Sequence, residues 1–246
     1  MNHRSLPRRD ATAALGAEPM NLLREFLQRS PAHARVAPFF IFVLLTAGQG
    51  LLGPDAKYWV YLLKTLAGVW LIWEMRSLVP EMRWAVSWEA VLVGVLVCVL
   101  WVGLDPYYPK IDMLSGPGSG DEWNPVARYG AGSAMAWFFI VVRIAGSSLV
   151  VPPLEEVFYR SFLYRRLIND DFLQVPLGRF AVGAFVVCSA LFGLMHTQWL
   201  PGILCGMLYL GLVIRKQRLG DAMTAHAITN FLLGIWVVRN DAWHFW

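Results

Sequence analysis

The sequence has few charged residues and few cysteines. Only 15% of its 246 residues are charged, whereas a soluble domain usually carries about 25%. This shortage excludes an ordinary soluble domain and indicates a membrane protein. The three cysteines, Cys98, Cys188 and Cys205, each lie in an apolar segment and form no CxxC pair, so neither a disulfide framework nor a thiolate metal site is indicated.

Two further patterns are missing. The sequence contains no HExxH motif, which is the usual zinc site of metalloproteases. Residues 1–35 carry six arginines but no early apolar core, which argues against a cleaved signal peptide. The net charge of +4 could suggest nucleic acid, but the basic residues fall between apolar segments instead of forming one stripe, so no nucleic-acid partner is expected.

Apolar runs of roughly membrane-spanning length dominate the sequence. There are seven of them: Val36–Leu52, Tyr58–Trp73, Trp84–Leu104, Ala131–Val151, Phe180–Met195, Leu200–Ile214 and Ala222–Val238. They predict an all-α fold, a polytopic transmembrane bundle of about seven to eight helices. We assign residues 1–35 to a basic cytoplasmic N-terminal arm and residues 36–246 to a single membrane-embedded domain, with the catalytic motifs in 151–238.

Lysines and arginines in the loops predict the orientation of this bundle. Loops rich in these residues alternate with loops that carry few, starting from the arginine-rich arm. We therefore expect a multi-pass protein of the cell membrane with its N-terminus in the cytoplasm. Lys64 and Arg143 also lie inside apolar runs. We expect each side chain to extend its charged group to a membrane interface. For Arg143, the alternative is that the side chain faces a cavity.

The segment Pro152–Arg160 places two adjacent carboxylates and an arginine in strongly apolar surroundings. Its two prolines end the preceding run and suit the first turn of a new helix. Glu156 and Arg160 then form a helical ion pair, while Glu155 projects about 100° away from Glu156 and is freer to face a cavity. The alternative interpretation is that both glutamates only complement the dipole of an interfacial helix.

Two later motifs hold further polar groups. His196 lies one helical turn after Phe192, and His226 and Asn230 lie one turn apart in the last apolar run. A lone histidine there is more often a hydrogen-bonded interhelical group than a catalyst. Together with Glu155, however, these groups fit acyl-bond hydrolysis, in which a carboxylate activates water and N–H groups stabilise the oxyanion. Zinc binding is not favoured, and no metal or other cofactor is expected.

Regular membrane crossings would keep these groups apart. Counting places Glu155 and His226 near the cytoplasmic side, whereas His196 lies 17 residues after Arg179. That separation is about 26 Å along a straight helix. We therefore expect one of these segments to start deep in the membrane, to tilt, or to be broken.

The motifs Glu155-Glu156-x-x-x-Arg160, Phe192-x-x-x-His196 and His226-x-x-x-Asn230, in this order, resemble those of the CAAX protease and bacteriocin-processing family, also called Abi proteins. The resemblance covers roughly residues 151–238, and it extends to the bacterial branch found near exosortase sorting systems, which implies that the membrane is a bacterial inner membrane. It implies an intramembrane glutamate endopeptidase related to the Ras-converting enzyme, which removes the last three residues of prenylated CaaX proteins.

The resemblance also implies a role for each motif residue. Glu155 would activate water with the help of His196, and His226 and Asn230 would form the oxyanion hole. Glu156 and Arg160 would order the site. The expected partners are membrane lipid and a membrane-associated peptide or protein substrate, which in a bacterium is an unmodified membrane-proximal peptide.

Two other functions remain open at this point. A non-enzymatic membrane protein of the same fold, such as a bacteriocin-immunity or assembly factor, would use the polar clusters to bind a partner peptide. A transporter would use buried Glu, Arg and His side chains as a relay, but the sequence shows no inverted repeat. Substrate cleavage that is lost in Glu155→Gln would separate the enzyme from both.

Overall fold

The structure is a computed structural model that describes residues 22–50, 52–53, 56–111 and 122–246, and these residues form a helical bundle without a β-strand. The helices are α1 (Pro31–Ala47), α2 (Ala56–Met75), α3 (Trp88–Leu104), α4 (Pro125–Tyr129), α5 (Ala134–Arg166), α6 (Val182–Leu194), α7 (Trp199–Lys216) and α8 (Gly220–Asn240). The predicted all-α bundle is confirmed, and each apolar run contributes a helix. Helix α1 begins inside the stretch assigned to the arm, whose residues 1–21 lie outside the described ranges.

The outer surface of the bundle is apolar, as a protein in lipid requires. Within the described ranges, four helices (α3, α5, α7 and α8) are long and apolar enough to cross a membrane, and α1 and α6 are apolar but shorter. Leucine, valine and aromatic side chains are exposed on these helices, for example Leu92, Val99 and Phe231. Together these features describe a multi-pass membrane protein.

Serine side chains determine where three of the helices begin. Ser30, Ser87 and Ser133 precede α1, α3 and α5, and each accepts a hydrogen bond from a backbone N–H of the first turn, at 3.0 to 3.3 Å. These bonds satisfy N–H groups that have no partner inside the helix. The starts of the helices are therefore encoded locally.

Helix α5 carries the first motif and is not a regular α-helix. It runs over 33 residues and contains π-helical turns at Gly146–Val150 and Val157–Leu163. The prediction that the two prolines end one helix and begin another is wrong, because the chain stays helical through Val151–Glu156. Prolines lack the N–H that a regular helix uses, and a π-helical turn shifts the bonding pattern around them. Glu155 consequently lies inside a long helix.

Helices α6 and α7 form a short hairpin that carries His196 into the bundle. Helix α6 has only 13 residues, about 20 Å, so it is shorter than the roughly 30 Å apolar core of a bilayer. Its turn at residues 195–198 can therefore lie at the depth of the other motifs. A Cβ atom on Gly193 would lie 2.4 Å from the backbone nitrogen of Ile203, so glycine is what allows the two helices to meet.

A side chain at Gly193 should separate α6 from α7. We expect Gly193→Val to lower the melting temperature of the purified protein in detergent, because overpacking a close contact costs about 1–3 kcal/mol. Gly183 lies on the same helix with no atom within 4 Å of its Cβ position, so Gly183→Val is the matched control. Equal melting temperatures for the two variants would contradict this account of the hairpin.

A buried ionic cluster ties the loop at residues 76–87 to α1 and α5. Glu81 accepts two hydrogen bonds of 2.9 Å from Arg35 and a third from Ser161, and Arg165 lies 3.4 Å away. Burial raises the pKa of Glu81, but the hydrogen bond from Ser161 and the charge of Arg35 outweigh burial and hold that pKa below its ordinary value. Because Ser161 belongs to the second π-helical turn, the cluster anchors α5 beside the first motif.

This cluster should make the stability of the protein fall in acid. A carboxylate whose pKa is lower in the folded state contributes stability above its unfolded pKa and loses that contribution as the pH falls through the folded value. Between about pH 6 and about pH 3, the melting temperature of the wild type should therefore drop more than that of Glu81→Gln. The exposed Glu25 provides the control, since Glu25→Gln should follow the wild type. Parallel curves for the wild type and Glu81→Gln would rule out this role.

Candidate active site

A cavity of about 720 Å³ lies inside the bundle, with walls from α1, α2, α3, α5, α6, α7 and α8. Its lining includes all four residues expected to carry the chemistry, which are Glu155, His196, His226 and Asn230. These side chains come from α5, α8 and the turn between α6 and α7. The fold thus brings together the motifs that the sequence analysis placed in one cavity, while the chemical role of each residue stays a prediction.

Glu156 binds both a guanidinium and an imidazole behind the cavity wall. Its Oε2 lies 3.2 Å from Nε of Arg160, with the two side chains 0% and 1% exposed, so the predicted i,i+4 pair forms and is buried. Its Oε1 lies 3.0 Å from Nδ1 of His226. The sequence analysis missed this second contact, because the two residues are 70 positions apart. One enclosed carboxylate therefore orients two groups of the site.

The hydrogen-bond partners of the two histidines assign their tautomers. An ionised carboxylate only accepts, so Nδ1 of His226 carries a proton and its Nε2 lies 4.0 Å from Oε2 of Glu155. Nδ1 of His196 lies 2.8 Å from the carbonyl oxygen of Phe192, which also only accepts. Each neutral ring therefore has its lone pair at Nε2, and that nitrogen donates a hydrogen bond only when the ring is protonated.

Asn230 forms a hydrogen bond with a carbonyl group that has no backbone donor, because a proline occupies the donor position. In a regular α-helix the carbonyl of Ser147 would accept from the N–H of Val151, but that N–H donates to Gly146. The next residue, Pro152, has no N–H to offer. Nδ2 of Asn230 takes the role of the missing backbone donor and donates to the Ser147 carbonyl at 2.7 Å. The amide keeps a second N–H, which is available to a group in the cavity.

Glu155 is the carboxylate that faces the cavity. Its side chain is 19% exposed, whereas that of Glu156 is fully buried. Its Oε2 is buried and accepts no hydrogen bond from the part of the chain that the structure describes, so the 19% exposure belongs to the rest of the side chain. The two neighbouring carboxylates thus have different surroundings, and Glu155 is the one that can exchange a proton with a bound molecule.

Aromatic and hydroxyl groups outside the predicted set support the two imidazoles. The ring of Trp101 meets that of His196 edge-on at 5.6 Å, and the ring of Tyr209 lies 5.2 Å from that of His226. The Tyr209 hydroxyl donates to Thr229 at 2.7 Å, and Thr229 lies 2.9 Å from the carbonyl oxygen of Gly94. Only the position of Thr229 beside Asn230 could have signalled this support, since Trp101 and Tyr209 belong to no motif.

The segment that carries these groups also matches a known sequence family. Residues 129–232 match the Rce1-like family of type II CAAX prenyl endopeptidases. The matched range contains all the residues of the three motifs, and it confirms the resemblance drawn from them. No curated protein and no solved structure matches the chain. The Rce1-like match, together with the apolar helices, supports a membrane protease of the CAAX type at the level of the family.

Removing Arg160 should damage the fold as well as the site. Arg160→Ala leaves the Glu156 carboxylate buried without its cation, a change that typically costs about 3–5 kcal/mol. Protein accumulation in membranes and melting temperature in detergent should both fall. Arg166 and Asp170 form a pair with the same spacing on the surface, so Arg166→Ala is the control and should cost less than about 1 kcal/mol. If Arg160→Ala abolished activity while accumulation and melting temperature stayed unchanged, Arg160 would belong with the catalytic groups.

Proposed function

We propose that this protein is an intramembrane glutamate endopeptidase that hydrolyses a peptide bond of a membrane-associated protein or peptide. The observation that carries the proposal is the Glu155 carboxylate, whose side chain lines the same cavity as His196, His226 and Asn230. The matched family supports the same class of reaction. The membrane location of the site supports a substrate that is itself held at the membrane.

In the proposed reaction Glu155 and His196 prepare the water. Glu155 removes a proton as the water oxygen attacks the carbonyl carbon of the peptide bond, and it later gives this proton to the leaving amine. Nε2 of His196 presents a lone pair, because its Nδ1–H is committed to the Phe192 carbonyl. His196 can therefore accept the second hydrogen of the same water and fix its orientation.

Asn230 and His226 stabilise the oxyanion in this mechanism. The free N–H of Asn230 is one donor, and the bond from its other N–H to Ser147 keeps the amide in place. Nε2 of His226 is the second donor, which requires the protonated ring. The carboxylates of Glu156, 3.0 Å from Nδ1, and of Glu155, 4.0 Å from Nε2, stabilise that positive charge from both sides.

We also propose the orientation that the loop charges indicate, with the N-terminus in the cytoplasm of the cell. Under this orientation α5 runs from the outer face towards the cytoplasm. Glu155 then lies closer to the cytoplasmic end of α5 than to its outer end, since it is 21 residues after Ala134 and 11 before Arg166.

Replacing Glu155 by glutamine should abolish peptide cleavage, because the amide cannot take a proton from water. Cells with wild-type protein should show peptide termini that are missing in cells with Glu155→Gln, as measured by proteomics of protein termini. Glu25→Gln, at an exposed position, should match the wild type. Asn230→Ala should slow cleavage by about 10²–10³-fold, the usual effect of losing one oxyanion donor.

Two results would contradict the proposal. Identical sets of termini in wild-type and Glu155→Gln cells, at equal protein levels, would leave a binding protein as the better interpretation. The mechanism also predicts that chelator-treated protein keeps its activity. Stoichiometric zinc whose removal abolishes cleavage and whose return restores it would make Glu155, His196 and His226 candidate ligands instead of base and donors.

A further inference from the structure

The cavity continues beyond the catalytic groups to a second end that is cationic. One face of α5 presents Arg143, Ser147, Val151 and Glu155 at intervals of four residues, and all four line the cavity. Arg143 and Glu155 are therefore separated by about 18 Å along the helix axis. At the Arg143 end, Lys64 from α2 contributes to the same wall.

Aromatic rings surround Lys64 and Arg143 at this end. Nζ of Lys64 and Cζ of Arg143 lie 4.5 Å and 4.6 Å from the centre of the same ring, that of Tyr61. Cζ of Arg143 also lies 4.9 Å from the ring centre of Trp123. Nζ of Lys64 donates a hydrogen bond to Oγ1 of Thr46 at 3.1 Å. No residue in the described ranges places a carboxylate within 4.0 Å of either cation.

This arrangement differs from that of the other buried cations. Arg35 and Arg165 share the carboxylate of Glu81, and Arg160 pairs with Glu156. Lys64, only 6% exposed, has a hydroxyl and two ring faces instead. An unpaired charge in apolar surroundings is costly, and cation–π contacts offset only about 0.5–2 kcal/mol.

Lys64 and Arg143 also repel each other, so each raises the cost of keeping the other charged. An anion placed between them would remove both penalties at once. Arg143 can bind a carboxylate through two parallel hydrogen bonds, and the Lys64 ammonium can add a third. The cations line the cavity, so a ligand that enters it can supply this anion.

We infer that Lys64 and Arg143 form an anion subsite that binds a carboxylate of the peptide substrate. This inference rests on the proposed function and extends it to the class of substrate. An extended peptide advances about 3.3 Å per residue, so the span of about 18 Å between Arg143 and Glu155 corresponds to roughly five residues between the carboxylate and the scissile bond. It belongs either to the C-terminus of the substrate or to an Asp or Glu side chain.

A lipid phosphate is the other anion that a membrane offers. The peptide is favoured because the subsite opens into the cavity that contains Glu155, and because Ser147 and Val151 continue the wall between the two ends. A bound peptide thereby contacts both ends at once. A lipid headgroup at the subsite would instead occupy the space that the substrate needs.

Peptide binding to the full-length Glu155→Gln protein tests the inference without turnover. The probes are acetylated apolar hexapeptides with a C-terminal acid, with a C-terminal amide, and with an amide and a final Asp. In nanodiscs of zwitterionic lipid, titration calorimetry should show the acid binding at least about tenfold more tightly than the plain amide. The Asp peptide has a side-chain carboxylate but no free C-terminal carboxylate, so it shows which of the two groups the subsite binds. Binding tighter than that of the plain amide, by either the acid peptide or the Asp peptide, supports the subsite.

Substitution of the cations should remove this preference. Adding Lys64→Met and Arg143→Met to the Glu155→Gln protein should bring the affinity for the acid peptide down to that for the amide, and leave the amide affinity unchanged. Arg239 is exposed on α8 and outside the cavity, so Arg239→Met should retain the full preference. If these variants fail to fold, the inference is still tested by comparing the acid and amide peptides in the Glu155→Gln protein, which retains Lys64 and Arg143.

Two outcomes would overturn the inference. The first is equal affinity of all three peptides for the Glu155→Gln protein. The second is loss of the acid preference when phosphatidylglycerol replaces the zwitterionic lipid, which would assign the subsite to a lipid phosphate. Because binding is measured in an inactive protein, either outcome leaves the cleavage experiment intact, and a failure to find cleavage leaves the binding result interpretable.

Discussion

The candidate site depends on one buried carboxylate, that of Glu156. An ionised carboxylate without access to water is stable only where cations and hydrogen-bond donors compensate it. Arg160 does so from the same helix and His226 from α8. The His226 contact forms only when α5 and α8 pack in one register, so the electrostatic requirement of a single side chain also sets the position of the helix face that carries Glu155.

Two adjacent glutamates acquire different properties from this packing. Glu156 points into the protein and is committed to two partners, whereas the Glu155 side chain lines the cavity and is 19% exposed. A helical rotation of about 100° between neighbours is enough to separate the two environments. Environment, more than residue type, thus determines which carboxylate can act as a base.

The sequence predicted the helices and the order of the motifs, because apolar length and the spacing of an ion pair are local signals. It could not predict the course of α5. A pair of prolines usually ends a helix, and here the helix continues because the carbonyl that they leave without a donor is satisfied by Asn230, a residue 83 positions away from Ser147. The Glu156 contact with His226 was missed for the same reason: both depend on tertiary packing that no local pattern records.

The charges of the cavity give it a direction. One end carries the Glu155 carboxylate, and the far end carries Lys64 and Arg143, so opposite charges lie at the two ends of one cavity. A substrate carboxylate is attracted to the cationic end and repelled by Glu155, and this difference grows where water is excluded. A peptide that bound in reverse would place its carboxylate beside Glu155. In the proposed function, the same charges that make the cavity costly to build therefore favour one orientation of the substrate over its reverse.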